Sequence, residues 1–240
     1  MTELILRKYI FDVDGTLTPS RGIIDKDFKE FFMDFCYDHD VYLVTGSDRP
    51  KTVEQLGNEI LDSVKLCFNC AGNEIWQKDT LIEKNSWSPS THLLDHLNQE
   101  LETSKFPIRT GNHIEHRTGM INFSIVGRNA NREQRSEYVK WDTETNERHE
   151  IADRIRKNFK GVDPFVGGET GLDIFEHGGG KQRSIRYIKS DSNDFLYYFG
   201  DQIVVGGNDY DIAKKCNIHY NVSGWRETKE ILNYMLEANL

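Results

Sequence analysis

Short apolar runs alternate along the first third of the chain with segments whose apolar residues recur at helical spacing. Residues 4–12 (LILRKYIFD), 41–46 (VYLVTG) and 65–69 (KLCFN) read as strands. Between the first two, Phe28, Phe31, Phe32 and Phe35 repeat as one face of a helix over residues 25–39. Residues 49–64 (RPKTVEQLGNEILDSV) predict another helix, with Pro50 in its first turn. Strands and helices in this order imply a parallel sheet covered on both faces. Ligands of such sheets gather at the carboxyl ends of the strands.

The pattern changes near Asp79. Residues 88–104 predict a helix capped by serine or threonine. Residues 112–128 (NHIEHRTGMINFSIVGR) predict an antiparallel hairpin turning near Thr118 and Gly119, with Ile121, Phe123 and Ile125 alternating with Asn122 and Ser124. Two helical stretches follow, ending near Lys160, and residues 165–175 (FVGGETGLDIF) return to strand. Residues 180–190 read as a helix, 194–201 (DFLYYFGD) and 217–222 (NIHYNV) as strands, and 226–239 as a closing helix. The expected fold is therefore an α/β core with a parallel sheet, residues 1–81 and 181–240, carrying an inserted α+β domain over residues 82–180.

Composition narrows the function classes. A hydrophobic fraction of 37% with 29% charged residues marks an ordinary globular protein rather than a disordered one. No apolar run approaches the length of a membrane span, and the N-terminus lacks a secretory pattern. A net charge of −9 argues against a general nucleic-acid binder. The cysteines Cys36, Cys67, Cys70 and Cys216 offer one C-x-x-C but no second ligand pair for zinc. Reduced thiols in a cytoplasmic setting are expected.

The chemistry concentrates in FDVDGTLTPSR, residues 11–21. Asp12 and Asp14 end an apolar strand, roughly 6.6 Å apart on one side at the usual strand rise. Gly15 permits a turn there, and Thr16 with the turn's N–H groups can face an anion. Two close carboxylates resist joint ionisation unless a cation lies between them. Mg²⁺ is the natural candidate, since it accepts a few carboxylates, waters and substrate phosphate.

FDVDGTLT resembles the first motif of the haloacid dehalogenase superfamily of phosphotransferases. The resemblance implies that Asp12 attacks phosphorus and becomes an aspartyl phosphate, and that Asp14 is the general acid and base. It also implies roles for Thr45 and Ser47, whose hydroxyls suit the transferring phosphate, and for Lys181 in GGGKQRS. Asp201 in YYFGDQIVVGGNDYDI matches the metal-binding carboxylate, with Asp209 further along. The implied metal set is Asp12, Asp14 and Asp201.

Arg117, Arg128 and Arg135 lie in and just after the predicted hairpin. Asn131 reads as a helix cap, which places Arg132 and Arg135 near a helix start. Cations there oppose the helix dipole by about 0.3–1 kcal/mol each. A bound anion would reverse that penalty. The segment GNHIEHRTGMINFSIVGRNANREQR resembles the cap signature of eukaryotic-type phosphomannomutases, as do GSDRPKTVEQLGNEI and GGETGLDIF. This resemblance implies interconversion of mannose 6-phosphate and mannose 1-phosphate, a step of GDP-mannose biosynthesis. The route implied is a hexose 1,6-bisphosphate, which also serves as activator. It assigns substrate contacts to Arg21, Arg117, Arg128 and Arg135, a sugar hydroxyl to Asp173, and a homodimer through the cap. Gly171 falls in the substrate-binding set where the family usually has serine. Thr45 stands where the mutases often have glycine, and threonine there is more typical of sugar phosphatases. A sugar-phosphate phosphatase on the same scaffold is the alternative.

Overall fold

The computed structural model describes residues 5–238. They divide into two units, one comprising the chain up to Lys84, Gly180–Val205 and the chain from Asp209, the other Asn85–Gly179 with Gly206–Asn208. The predicted strand start at residue 4 and helix end at residue 239 lie outside the described residues.

In the first unit the chain forms β1 (Arg7–Phe11), α1 (Lys26–Asp38), β2 (Asp40–Val44), α2 (Arg49–Leu56), α3 (Asn58–Ser63), β3 (Leu66–Asn69), β4 (Glu74–Gln77) and β5 (Thr80–Lys84). The predicted 49–64 helix is two helices, because Gly57 between them sits at φ +79°. The hairpin of β4 and β5 was not expected from the sequence. It extends the sheet antiparallel from β3, and the anticipated domain boundary at 81/82 falls inside β5.

The second unit holds α4 (Thr91–Thr103), β6 (Ile114–Arg117), β7 (Met120–Phe123), α5 (Arg132–Thr145), α6 (Glu147–Asn158), β8 (Val162–Gly167) and β9 (Gly171–Glu176). Residues 165–175, read as one strand, are instead two strands joined by a turn at Gly168, whose φ of +56° favours glycine. The sheet order is β6-β7-β9-β8. Ile121, Phe123, Leu172 and Ile174 pack with Leu93, Leu97, Tyr138, Ile151 and Ile155 of the helices. Strand alternation therefore sends Glu115, Arg117, Asn122, Gly171 and Asp173 to the other face.

The chain then returns to the first unit through α7 (Ile185–Ile188), β10 (Phe195–Gly200), α8 (Tyr210–Ala213), β11 (Ile218–Asn221) and α9 (Trp225–Glu237). Residues 180–190, expected as a helix, are one 3₁₀ turn at Lys181–Ser184 followed by the short α7. The seven-stranded order is β11-β10-β1-β2-β3-β4-β5, with β11 through β3 parallel. Tyr9, Phe11, Leu43 and Phe199 join Phe28, Phe32, Leu61 and Leu232 on one face. Ile10, Val44, Phe68 and Tyr198 meet Ile188 and Ile212 on the other. Burial on both faces explains the near-continuous apolar strands. It also leaves the sheet's carboxyl edge as the place where polar groups from adjacent strands converge. No helix among the described residues is long and apolar enough to cross a membrane.

Candidate active site

Asp12 is the first residue beyond central strand β1, and its N–H still donates to Phe199 O of β10 at 2.9 Å. The chain then turns tightly. Gly15 has φ +78°, and a Cβ there would stand 2.6 Å from Asp201 Oδ2. Glycine is required by conformation and by the approach of that carboxylate. The N–H groups of Thr16, Leu17 and Thr18 all donate to Val13 O, and that of Gly15 to Thr18 O. These four N–H groups are consumed within the turn. The Thr16 hydroxyl is buried without a hydrogen-bond partner.

Lys181 opens the 3₁₀ turn and reaches back to the strand ends. Its Nζ donates to Asp12 Oδ1 and to Asp209 Oδ1, both at 2.7 Å, and all three side chains are buried. Asp209 also accepts the Tyr198 hydroxyl and, on Oδ2, the Gln202 N–H at 3.0 Å. Burial works against the Lys181 charge, but the Asp12 and Asp209 carboxylates outweigh it and hold its pKa above the ordinary lysine value. Burial pushes Asp12 well up; Lys181 opposes this, while Asp209 and Asp201 add to it. Burial likewise raises Asp201.

Oxygens of Asp12, Asp201 and Asp209 all lie within 4.8 Å of one another. One ammonium cannot balance three carboxylates, and the raised Asp12 and Asp201 register the deficit. An all-oxygen donor set of this charge fits a hard divalent cation. The cluster includes Asp209, which the sequence reading left out of its metal set, and does not include the Asp14 carboxylate, which that reading put in. The turn carries the Asp14 side chain toward other partners. It accepts the Arg21 N–H at 2.6 Å, Gln55 Nε2 at 2.9 Å and the Ser47 hydroxyl at 3.2 Å.

The remaining core residues of the predicted site adjoin this pair. Thr45 is buried just past β2, and its Oγ1 accepts the Ser47 N–H at 3.1 Å. Thr45 thus shapes the loop that delivers the Ser47 hydroxyl to Asp14. Arg21 is exposed, and its φ of +58° turns its N–H toward Asp14.

In the second unit, Glu115, Asn122 and Asp173 are register partners across β6, β7 and β9. Arg117 donates to Glu115 from Nε at 3.2 Å and Nη2 at 3.1 Å, and Arg128 Nε pairs with the same carboxylate. Burial would raise the Glu115 pKa, but Arg117 and Arg128 outweigh it and hold the carboxyl below its usual range. Asp173 Oδ1 accepts Asn122 Nδ2 at 2.6 Å. Gly171 lies against that amide: a Cβ would stand 2.7 Å from Asn122 Nδ2. Arg135 is held elsewhere, by Glu169 in the β8–β9 turn, through Nε at 3.2 Å and Nη2 at 2.8 Å. Its Nη1 is buried and unpartnered. Asn131 caps α5, as the sequence reading expected, and Gln134 completes a capping box with it.

Sequence reasoning missed Gln55, Glu115 and Glu169. Glu115 could have been found, since it lies two residues before Arg117 and so shares its strand face. Gln55 also left a trace: with Arg49, Thr52 and Leu56 it forms the buried face of α2, a polar stripe where a core helix is usually apolar.

The family model described as eukaryotic phosphomannomutase matches residues 28–238. Phosphomannomutase 1 of Dictyostelium discoideum is 32% identical over 238 residues, covering 93% of this chain and 94% of that protein. The phosphomannomutase of Saccharomyces cerevisiae is 31% identical over 232 residues, covering 93% and 91%. Among solved structures, an IMP-bound IMP-nucleotidase of Plasmodium falciparum superposes with a TM-score of 0.72 at 17% identity, over 97% of this chain and 68% of that one. The C-terminal domain of trehalose-6-phosphate phosphatase from C. albicans gives 0.64 at 16% identity, over 98% and 93%. These structural likenesses establish the haloacid dehalogenase-like fold.

Proposed function

The chain belongs to the eukaryotic phosphomannomutase family and is a phosphomutase enzyme; from that membership we propose that it interconverts mannose 6-phosphate and mannose 1-phosphate through an aspartyl-phosphate enzyme and a hexose 1,6-bisphosphate. The observation that carries the mutase over a simple phosphatase is the arginine set of the second unit. Hydrolysis of a monophosphate needs one phosphate site, and the Asp12–Lys181 cluster is already suited to that. Arg117, Arg128 and Arg135, each held by a carboxylate, are an additional anion-binding set.

Lys181 occupies Asp12 Oδ1, which leaves Oδ2 as the attacking atom. Oδ2 attacks phosphorus, the bond from phosphorus to the sugar oxygen breaks, and Asp14 supplies the proton that oxygen needs. In the return step Asp14 takes a proton from the attacking sugar hydroxyl, and the phosphoryl group leaves Asp12. Lys181 keeps a positive charge beside Asp12 while negative charge passes through the pocket. Asp12 and Asp201, with Asp209 alongside, are the residues that would hold Mg²⁺, which would neutralise charge on the transferring phosphoryl group. Arg21, Arg117, Arg128 and Arg135 bind phosphate, and Asp173 with Asn122 reads a sugar hydroxyl. Gly171 leaves that hydroxyl one contact fewer than serine would give. The free cysteines Cys36, Cys67, Cys70 and Cys216 suit a reducing cytoplasm. The second unit is the surface through which two copies would associate.

The test is direct. Mannose 1-phosphate with Mg²⁺ and a trace of hexose 1,6-bisphosphate should give mannose 6-phosphate in a coupled assay. Inorganic phosphate released faster than mannose 6-phosphate would replace this reading with the sugar-phosphate phosphatase.

A further inference from the structure

We infer that Gln55 is a positioning residue that fixes the Asp14 carboxylate with its Oδ2 turned toward Ser47; the inference rests on the proposed role of Asp14 as proton carrier. Asp14 Oδ1 accepts two N–H donors, the Arg21 main chain at 2.6 Å and Gln55 Nε2 at 2.9 Å. Neither group can accept a hydrogen bond in return. Oδ2 faces the Ser47 hydroxyl at 3.2 Å, a group that donates or accepts as it rotates. The two donors on Oδ1 therefore fix the carboxylate and leave Oδ2 turned to Ser47.

The burial of Gln55 argues that this amide is kept for Asp14. The residue is fully buried, and Nε2 also approaches Thr18 Oγ1 and Gly22 O, both at 3.3 Å. Its own Oε1 is buried and finds no partner. An unpaired buried acceptor is costly, and an apolar side chain would fill the same space without that penalty. Rotating the amide by half a turn would set Oε1 against the Asp14 carboxylate, acceptor against acceptor. The observed orientation is thus fixed by the carboxylate together with the Gly22 carbonyl, and the carboxylate in turn is held by the amide. A general acid delivers its proton efficiently only when the donating atom is held at the leaving oxygen.

The consequence is a dependence on the leaving group. Transfer from a hexose phosphate needs a proton on the departing sugar oxygen. Transfer from 4-nitrophenyl phosphate does not, because nitrophenolate leaves unprotonated. Gln55→Met preserves volume and removes the donor. Quench-flow measurement of phosphoenzyme formation should show a fall of about 10–100-fold with hexose 1,6-bisphosphate and less than about 3-fold with 4-nitrophenyl phosphate. Gln55→Glu, which sets a like charge against Asp14, should show the same selective loss and serves should the Met variant fail to fold. Equal losses on both donors would mean a merely structural role and overturn the inference, as would unchanged rates on both. If the wild-type protein forms no phosphoenzyme from either donor, the aspartyl-phosphate reading itself fails, and the role of Gln55 falls with it.

Discussion

Replacing Lys181 with methionine separates the charge of the buried cluster from its shape. Methionine nearly matches the side chain's length and volume but carries no ammonium. Lys181 Nζ stands 2.7 Å from both Asp12 and Asp209, whose side chains are 6% and 0% exposed. Removing one partner of a buried ion pair costs roughly 3–5 kcal/mol, because the remaining charge is stranded. Asp12 has a partial escape: burial, Asp209 and Asp201 already push its pKa up, so it can take a proton. The lower end, about 3 kcal/mol, is therefore expected. In a chain of this length that corresponds to a fall of about 6–12 °C in Tm. Thermal unfolding in EDTA should show this gap. Excess MgCl₂ should narrow it, because a cation binds the stranded carboxylates of the variant more tightly and stabilises by mass action. A variant that unfolds at the wild-type temperature in EDTA, or gains no more from Mg²⁺ than the wild type, would refute the electrostatic account of the cluster.

Other outcomes follow from the same geometry. Gly15→Ala places a side chain at φ +78° and 2.6 Å from Asp201 Oδ2, so it should destabilise the fold by about 1–3 kcal/mol and weaken Mg²⁺ binding in calorimetry. Unchanged affinity would count against a metal role for Asp201. Arg135→Ala should lower mutase turnover by about 30-fold, from about 2 kcal/mol for a charge-assisted contact, with hydrolysis of 4-nitrophenyl phosphate far less affected. Equal losses would argue against a second phosphate site. Asp194 accepts Lys8 Nζ, the Ser190 hydroxyl and the N–H groups of Ser190 and Asp191. Burial would raise its pKa, but these donors outweigh it and hold the carboxyl at about 2. A carboxyl depressed in the folded state stabilises fully above its unfolded pKa, near 3.9, and loses that contribution as pH falls through about 2. The Tm gap between wild type and Asp194→Asn should therefore be constant from neutral pH down to about 4 and shrink below it.

The legible parts of the sequence were those with a strong local period. β1, β2, β3 and β10 announced themselves as apolar runs because both faces of the sheet are covered, and α1 by its spaced phenylalanines. The β4–β5 hairpin was missed because every residue of β5 is exposed and its two apolar residues, Leu81 and Ile82, are adjacent rather than alternating. The break at Gly57 was hidden because the polar spacing of α2 and α3 runs on through it, and only the positive φ reveals the turn. At the site, Asp12 and Asp201 could be found as single residues at strand ends, and Lys181 as the residue that opens the 3₁₀ turn. That the Asp209 carboxylate joins Asp12 and Asp201 while that of Asp14 turns to Gln55 and Ser47 could not be read, because it depends on where the turn after β1 swings one carboxylate. Glu115 and Glu169 are ordinary acidic residues in one dimension and counter-ions of the arginines in three.

The central claim is that Asp12 receives a phosphoryl group and returns it to a sugar. Protein treated with hexose 1,6-bisphosphate and Mg²⁺, quenched in acid and mapped by mass spectrometry, should carry phosphate on the peptide containing Asp12. A chase with mannose 1-phosphate should then move that phosphate onto the sugar. Label on any other residue, or label lost to inorganic phosphate before it reaches the sugar, would contradict the account.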